Sequence, residues 1–131
     1  MSQAADTGPI LVVDDDPDLR TLIVEILEQE GYRAVAAVHG AEALGLLRLG
    51  LRPSLIFLDM MMPVMDGWQF RAEQRADPAV ADIPVVVFSA YCDVQKTAEE
   101  LDAAAGLGKP LRLETLLSVI ERHAQPPQAP H

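Results

Sequence analysis

Cysteine is nearly absent from this chain of 131 residues, because Cys92 is the single one. An intramolecular disulfide is therefore excluded, and so is a fold stapled by disulfides. No histidine or basic residue stands beside Cys92 to activate its thiol, so we interpret it as a packed or unreactive side chain. Long apolar runs are also missing. None approaches the ~18 residues that a membrane-spanning helix needs, so no membrane association is predicted.

Basic residues are the second shortage: 10 Lys and Arg stand against 20 Asp and Glu, for a net charge of −10. Nucleic-acid phosphates are bound by clustered Lys and Arg, so we predict no nucleic-acid partner. The acidic excess indicates either solubility or an acidic cluster that holds a cation. The N-terminus MSQAADTGP has neither a basic region nor an apolar stretch. The chain is therefore predicted to lack a secretory signal and to be cytoplasmic.

What the sequence does contain is an alternation of strand-like and helix-like segments. The predicted strands are 10–13, 33–38, 55–58 and 83–88, with a weak fifth at 106–108. The predicted helices are 17–30, 41–49, one from 67, one capped by Asp93, and 112–124. The strands are apolar throughout, which is typical of a parallel sheet covered by helices on both faces. Five β–α units in sequence predict one doubly wound α/β domain over residues 9–124.

Cap and turn residues mark the ends of these segments. Asp16 can cap the first helix, Pro17 suits its first position and Gly31 ends it. Outside the domain, residues 1–8 are predicted to be a flexible N-terminus. The Pro-rich segment 125–131 is predicted to be a disordered tail.

Polar side chains follow the predicted strands where each strand ends. They are Asp14, Asp15 and Asp16 after the first strand, Asp59 after the third, Ser89 after the fourth and Lys109 after the weak fifth. Ligands of open parallel sheets lie beyond the carboxyl ends of the strands, where the strand order reverses. We therefore expect these acids, the hydroxyl and the amine to converge on one edge. Asp16 is explained better as a helix cap than as a ligand.

Crowded carboxylates repel each other, which raises the pKa of at least one of them unless a cation is present. Carboxylates, a backbone carbonyl and waters suit Mg²⁺, whereas the sequence offers no His or Cys cluster for zinc. An anionic group sharing the site would explain Ser89 and Lys109. A carboxylate can attack phosphorus to give an aspartyl phosphate. The Lys109 ammonium, the Ser89 hydroxyl and the backbone N–H of Ala90 could then pair the phosphoryl oxygens.

The stretches ILVVDDDPDLR, LIFLDMMMPVMDG, VVVFSA and KP, in this order, resemble the receiver domain of two-component response regulators. The resemblance covers about residues 9–124. It implies a flavodoxin-like (βα)5 three-layer sandwich whose parallel five-stranded sheet has the order 2-1-3-4-5. It implies Mg²⁺ as the cofactor and a cis bond between Lys109 and Pro110. The implied roles are Asp59 as phosphoacceptor, Asp14, Asp15 and the Met61 carbonyl as metal ligands with Asp59, Ser89 as the mobile hydroxyl, and Lys109 as the ion-pair partner.

Three features depart from the family pattern. Gly106 stands where family members usually carry an aromatic residue that swings inward when the hydroxyl moves, and the connection from Ser89 to Lys109 is short. Tyr91 is a candidate substitute for the mobile aromatic. Arg112 stands where an acidic helix cap is common. We therefore expect intact phosphorylation chemistry and an unusual readout.

The leading hypothesis is a stand-alone receiver domain in a phosphorelay. It would take a phosphoryl group from a sensor histidine kinase or a histidine phosphotransfer protein and signal to a separate output protein by changing conformation. It would be no enzyme beyond its own phosphoryl transfer and dephosphorylation. The alternative is a protein-interaction module that needs no phosphorylation. A phosphatase with an aspartyl nucleophile would need a second acid where Met61 stands. Whether the protein forms a weak homodimer stays open.

Overall fold

Ten elements alternate strand and helix in the computed structural model, which describes residues 8–62, 64–90 and 93–123. They are β1 (Ile10–Val13), α1 (Pro17–Gln29), β2 (Ala34–Ala37), α2 (Gly40–Arg48), β3 (Leu55–Asp59), α3 (Gly67–Arg75), β4 (Val85–Ser89), α4 (Val94–Glu100), β5 (Ala105–Gly108) and α5 (Leu113–His123). All neighbouring strands are parallel, in the order β2-β1-β3-β4-β5. The predicted doubly wound, flavodoxin-like fold is confirmed. The strand order reverses between β1 and β3, which places the expected ligand crevice at their carboxyl ends.

Two hydrophobic clusters cover the two faces of the sheet, and β1 contributes to both. Leu11 and Val13 pack with buried side chains from α2, α3 and α4. Ile10 and Val12 pack on the opposite face with side chains from α1 and α5. Successive side chains of a strand point to opposite faces, so a strand buried on both sides must be apolar at every position. The continuous apolar runs of the sequence follow from this three-layer packing.

Side-chain caps fix the starts of the helices that follow the site. The Asp16 carboxylate accepts the backbone N–H of Asp18 at 3.0 Å, and Pro17 occupies the first turn of α1. The Asp93 carboxylate accepts the backbone N–H of Lys96 at 3.2 Å and begins α4. These caps satisfy N–H groups that have no partner within the helix. Both predicted caps are confirmed.

Strand boundaries differ from the predicted ones at the positions that matter for the site. The fourth strand is Val85–Ser89 rather than 83–88, because Pro84 has no N–H for the ladder. The third strand reaches Asp59, which lies opposite Phe88 in register. Asp59 and Ser89 are therefore the last residues of their strands and are fixed by backbone pairing.

Smaller differences affect the other ends. The second strand is one residue shorter at each end than 33–38, the fifth begins one residue before 106, and α5 begins one residue after 112. Apart from residue 8, the predicted flexible N-terminus 1–8 and the tail 125–131 lie outside the described residues, as do Tyr91 and Cys92. No helix in the described ranges is long and apolar enough to cross a membrane.

Candidate functional site

Three carboxylates meet at the carboxyl ends of β1 and β3. Asp14, Asp15 and Asp59 each offer an oxygen, and these oxygens lie within 4.8 Å of one another. Asp14 is fully buried and Asp59 is 2% exposed, whereas Asp15 is exposed. The strand order explains the meeting, because β1 and β3 are hydrogen-bonded neighbours. The cluster therefore consists of two buried acids and one exposed acid.

A cation fits this cluster because one buried oxygen of Asp14 has no hydrogen-bond partner within the part of the chain that the structure describes. The Asp14 Oδ1 atom accepts the backbone N–H of Asp16 at 3.0 Å. The Asp14 Oδ2 atom is buried and has no hydrogen-bond partner among the described residues. A buried carboxylate oxygen without a partner is costly. Hard oxygen ligands of this kind suit Mg²⁺.

Lys109 reaches the cluster from the end of β5. Its Nζ atom lies 3.5 Å from Asp59 Oδ2, and the other oxygen, Oδ1, accepts the backbone N–H of Met61 at 3.1 Å. The same ammonium lies 5.0 Å from the centre of the Phe88 ring, within the range of a cation–π contact. The predicted cis bond between Lys109 and Pro110 is present. Asp59 is thus held by one donor on each oxygen.

The surroundings of Asp59 raise the pKa of its carboxyl from 3.8 to about 7. Burial is the largest cause, because it removes water from the charged form. The Met61 N–H lowers the pKa, whereas the adjacent Asp14 carboxyl raises it. The charge of Lys109 lowers it and the charge of Asp14 raises it. Without a cation, the site therefore favours a proton on Asp59 close to neutral pH.

The remaining predicted residues lie around this core. Ser89 is 2% exposed and ends β4, opposite Gly108. Its backbone C=O accepts the N–H of Lys109 at 3.1 Å, which ties the ends of β4 and β5 together. Ala90 is exposed next to it. The Met61 side chain is 47% exposed, while its N–H contacts Asp59. The Met61 carbonyl as a metal ligand and the Ala90 N–H as a phosphoryl donor stay predictions.

Gly106 is covered by the first turn of α4. A Cβ atom on Gly106 would stand 2.6 Å from the backbone oxygen of Val94, closer than real Cβ contacts come. The Gln95 side chain donates from Nε2 to the Gly106 C=O at 2.8 Å. Helix backbone therefore occupies the space that a side chain at this position would need. The role of Gln95 was missed from the sequence, because the docking of α4 on β5 decides which helix residue reaches Gly106.

The other end of α4 is fastened by a buried arginine that sequence reasoning also missed. Arg71 of α3 is 5% exposed, and its guanidinium donates to the C=O of Leu101 at 2.9 Å and of Asp102 at 2.8 Å. A third bond, at 2.8 Å, goes to the side chain of Gln74. Burial lowers the pKa of Arg71, and these carbonyls at the helix C-terminus suit its positive charge. Arg71 thus fixes the C-terminal end of α4.

Comparison with known proteins places the chain in one group. Residues 10–121 match the family model described as the response regulator receiver domain. Over 126 residues the chain is 36% identical to the DNA-binding dual master transcriptional regulator RpaA of Synechocystis, covering 92% of this chain and 52% of that protein. It is 31% identical to sporulation initiation phosphotransferase F of Bacillus subtilis, covering 87% of this chain and 91% of that protein. The chain thus spans about half of RpaA.

Solved structures agree with this grouping. The receiver domain of a signal transduction histidine kinase from Syntrophus aciditrophicus superposes with a TM-score of 0.78 at 32% identity, covering 88% of this chain and 89% of that one. The chemotaxis protein CheY4 of Vibrio cholerae superposes with a TM-score of 0.80 at 28% identity, covering 89% and 98%. Similarity therefore extends through nearly the whole described fold.

Proposed function

The chain belongs to the receiver domain family of two-component response regulators, and from this membership we propose that it accepts a phosphoryl group on Asp59. The donor would be a sensor histidine kinase or a histidine phosphotransfer protein. One observation carries the proposal: a buried carboxylate has Lys109 Nζ at 3.5 Å on one side and two further acids on the other. Receiver domains are signalling modules, so no reaction on an outside substrate is proposed.

The proposed reaction transfers a phosphoryl group from a histidine of the donor protein to Asp59. An ionised oxygen of Asp59 attacks the phosphorus of a phosphohistidine, forming a P–O bond while the P–N bond breaks. The released imidazole nitrogen takes a proton from solvent. Lys109 neutralises negative charge on the phosphoryl oxygens, which is the main way in which proteins speed this reaction. Asp14, Asp15 and the Met61 carbonyl would hold Mg²⁺ with Asp59, and the ion would supply further positive charge.

The readout that we propose uses α4. The new charge of about −1.5 to −2 attracts Lys109 and the Ser89 hydroxyl. Ser89 lies four positions before Asp93, the cap of α4, so a shift of Ser89 pulls on the first turn of the helix. That turn is held to β5 by the bond between Gln95 and Gly106, whereas Arg71 holds the opposite end. Phosphorylation would therefore release the N-terminal end of α4 and leave its C-terminal end in place.

Beryllofluoride with Mg²⁺ is a stable mimic of the phosphoryl group and should loosen the start of α4. We expect faster hydrogen exchange at the amides of Thr97 and Ala98, since their turn loses its contact with β5. The amide of Ala104, which donates to the Val85 C=O at 2.8 Å, should keep its exchange rate. Hydrogen exchange followed by mass spectrometry, with and without the mimic, measures both. Equal exchange at all three amides, with the mimic bound, would contradict this readout.

Two glycines of β5 provide a matched pair of variants for the same measurement. Gly106→Ala forces a Cβ atom against the Val94 backbone, so the start of α4 should exchange faster even without the mimic. Gly108→Ala adds the same atom where nothing lies within 4 Å, so α4 should exchange as in the wild type. Fast exchange in both variants would mean that strand β5, rather than the contact with α4, is being disturbed.

Phosphorylation itself is tested with acetyl phosphate, a small donor that needs no kinase. We expect the intact mass to rise by one phosphoryl group in the presence of Mg²⁺. Adding EDTA should reduce the labelled fraction at least tenfold, because the clustered carboxylates then repel the incoming phosphoryl oxygens. Intact-mass spectrometry after short incubation gives both fractions. Labelling that is insensitive to EDTA would argue against a metal site at the three acids.

The partners follow from the proposed transfer and are proposals too. A separate output protein would recognise the loosened α4, and the protein would act in the cytoplasm without binding nucleic acid. A second candidate function is an interaction module that needs no phosphorylation, which the close docking of α4 on Gly106 favours. That module would take no label from acetyl phosphate under the conditions just given.

A further inference from the structure

The acid at the end of β1 has every polar atom but one engaged. The Asp14 N–H donates to the Ala37 C=O at 3.1 Å, and its carboxylate Oδ1 accepts the N–H of Asp16 at 3.0 Å. The Asp14 C=O accepts Nη1 of Arg20 at 2.8 Å. Oδ2 is left, buried and without a described partner. The orientation of this oxygen is thus set by three contacts, and Arg20 supplies the one that comes from a side chain.

Arg20 belongs to the first turns of α1 and is half-buried. Its own N–H donates to the Asp16 C=O at 2.9 Å, so its backbone is tied to the loop that it also reaches with its guanidinium. No ion pair within 4.0 Å joins Arg20 to an acid of the described residues. The guanidinium therefore holds the backbone of the acid loop and leaves the carboxylates open to a cation.

We propose that Arg20 is a positioning residue for the metal site, holding Asp14 so that Oδ2 faces the cation. The inference deepens the proposed function and rests on it. Groups that orient a metal ligand typically change metal affinity by 10–100-fold when they are removed. Removing Arg20 would also have an effect that raises Mg²⁺ affinity, because a cationic side chain near the site repels Mg²⁺. The two effects differ in sign, so affinity measurements separate them.

The test is Mg²⁺ affinity by isothermal titration calorimetry on the whole chain. If Arg20 positions Asp14, Arg20→Met should weaken binding about tenfold, and Arg20→Lys, which keeps a donor, should recover part of the loss. If the charge alone mattered, Arg20→Met would bind more tightly and Arg20→Lys would match the wild type. Arg48→Met is the matched control. It removes the same charge from the exposed end of α2, where Arg48 pairs with Glu73, and should leave affinity unchanged.

A readout without metal completes the test. The amide of Asp16, which donates to Asp14 Oδ1, should exchange faster in Arg20→Met, because the loop is no longer held. Should that variant fail to fold in a urea titration, Arg20→Gln, which keeps an N–H donor without charge, replaces it. A positioning role then predicts Mg²⁺ affinity no tighter than that of the wild type, whereas repulsion by the charge predicts tighter binding. Wild-type protein that binds no Mg²⁺ would refute the metal site itself. Wild-type binding with unchanged affinity and exchange in the variants would refute only the role of Arg20.

Discussion

Asp59→Asn is expected to abolish labelling by acetyl phosphate, with a loss of at least 100-fold in the labelled fraction. An amide oxygen is a far weaker nucleophile than a carboxylate, and the resulting bond to phosphorus would not be an acyl phosphate. The shape of the site should survive, since the Asn oxygen can still accept the Met61 N–H now bound by Oδ1. The loss would therefore report chemistry and not folding. Intact-mass spectrometry, with a urea titration to confirm folding, makes the measurement.

The matched control for this variant is Asp66→Asn. Asp66 caps α3 by accepting the N–H of Gln69 at 2.9 Å, and asparagine caps a helix equally well. Both variants thus remove one carboxylate near the end of β3, but only one of these carboxylates belongs to the acid cluster. Asp66→Asn should be labelled like the wild type. Labelling of Asp59→Asn at the wild-type level would reject Asp59 as the acceptor. The exposed Asp15 would then be the next candidate acceptor.

The contribution of Asp59 to the stability of the metal-free protein should fall as the pH rises from about 4 to about 7. The pKa of its carboxyl is about 7 in the folded protein against 3.8 in the unfolded chain. Between these values the folded state binds the extra proton, so the free energy of unfolding decreases with increasing pH. Each pH unit within this window corresponds to about 1.4 kcal/mol. We expect ionisation of Asp59 to lower the free energy of unfolding by roughly 2–3 kcal/mol between pH 5 and pH 8.

Urea unfolding of the wild type and of Asp59→Asn at both pH values, with EDTA present, isolates this contribution. Groups away from the site titrate alike in both proteins, so the difference between their free energies of unfolding belongs to the Asp59 carboxyl and its interactions within the acid cluster. Asp59→Asn should be the more stable protein at pH 8, and the advantage should shrink at pH 5. Mg²⁺ at pH 8 should stabilise the wild type more than the variant, because it binds the folded site. A constant difference across pH would contradict the raised pKa.

The sequence predicted the fold and the cluster of acids for the same physical reason. Strands buried on both faces must be apolar at every position, which makes β1, β3 and β4 visible as continuous runs. The carboxyl ends of parallel strands then face one crevice, so Asp14 and Asp59 could be expected to meet before any distance was known. The predicted and observed bounds of the elements agree to within two residues, and the largest difference lies at Pro84, which has no N–H for the ladder.

The contacts of α4 and Arg20 could not be predicted in this way. Arg71 and Arg20 look like ordinary charged helix residues, and their carbonyl partners lie on elements whose docking no periodicity specifies. Gly106 was noticed as a missing aromatic, but the sequence could not say that the backbone of Val94 had taken its space. Such contacts depend on the distance between packed elements. A single chain encodes that distance only through the complete fold.

In the proposed readout, the anchoring of α4 by Arg71 sets how small a motion is enough to break the contact between Gln95 and Gly106. The helix has seven residues, so at 1.5 Å per residue it is about 10 Å long. The bond from Gln95 to Gly106, at 2.8 Å, is lost once its atoms separate beyond about 3.5 Å. Because the helix is about 10 Å long, a rotation of only about 4° about its anchored end produces that separation. Loss of this contact would therefore need only a small tilt of the helix and no movement of the helix to a different position.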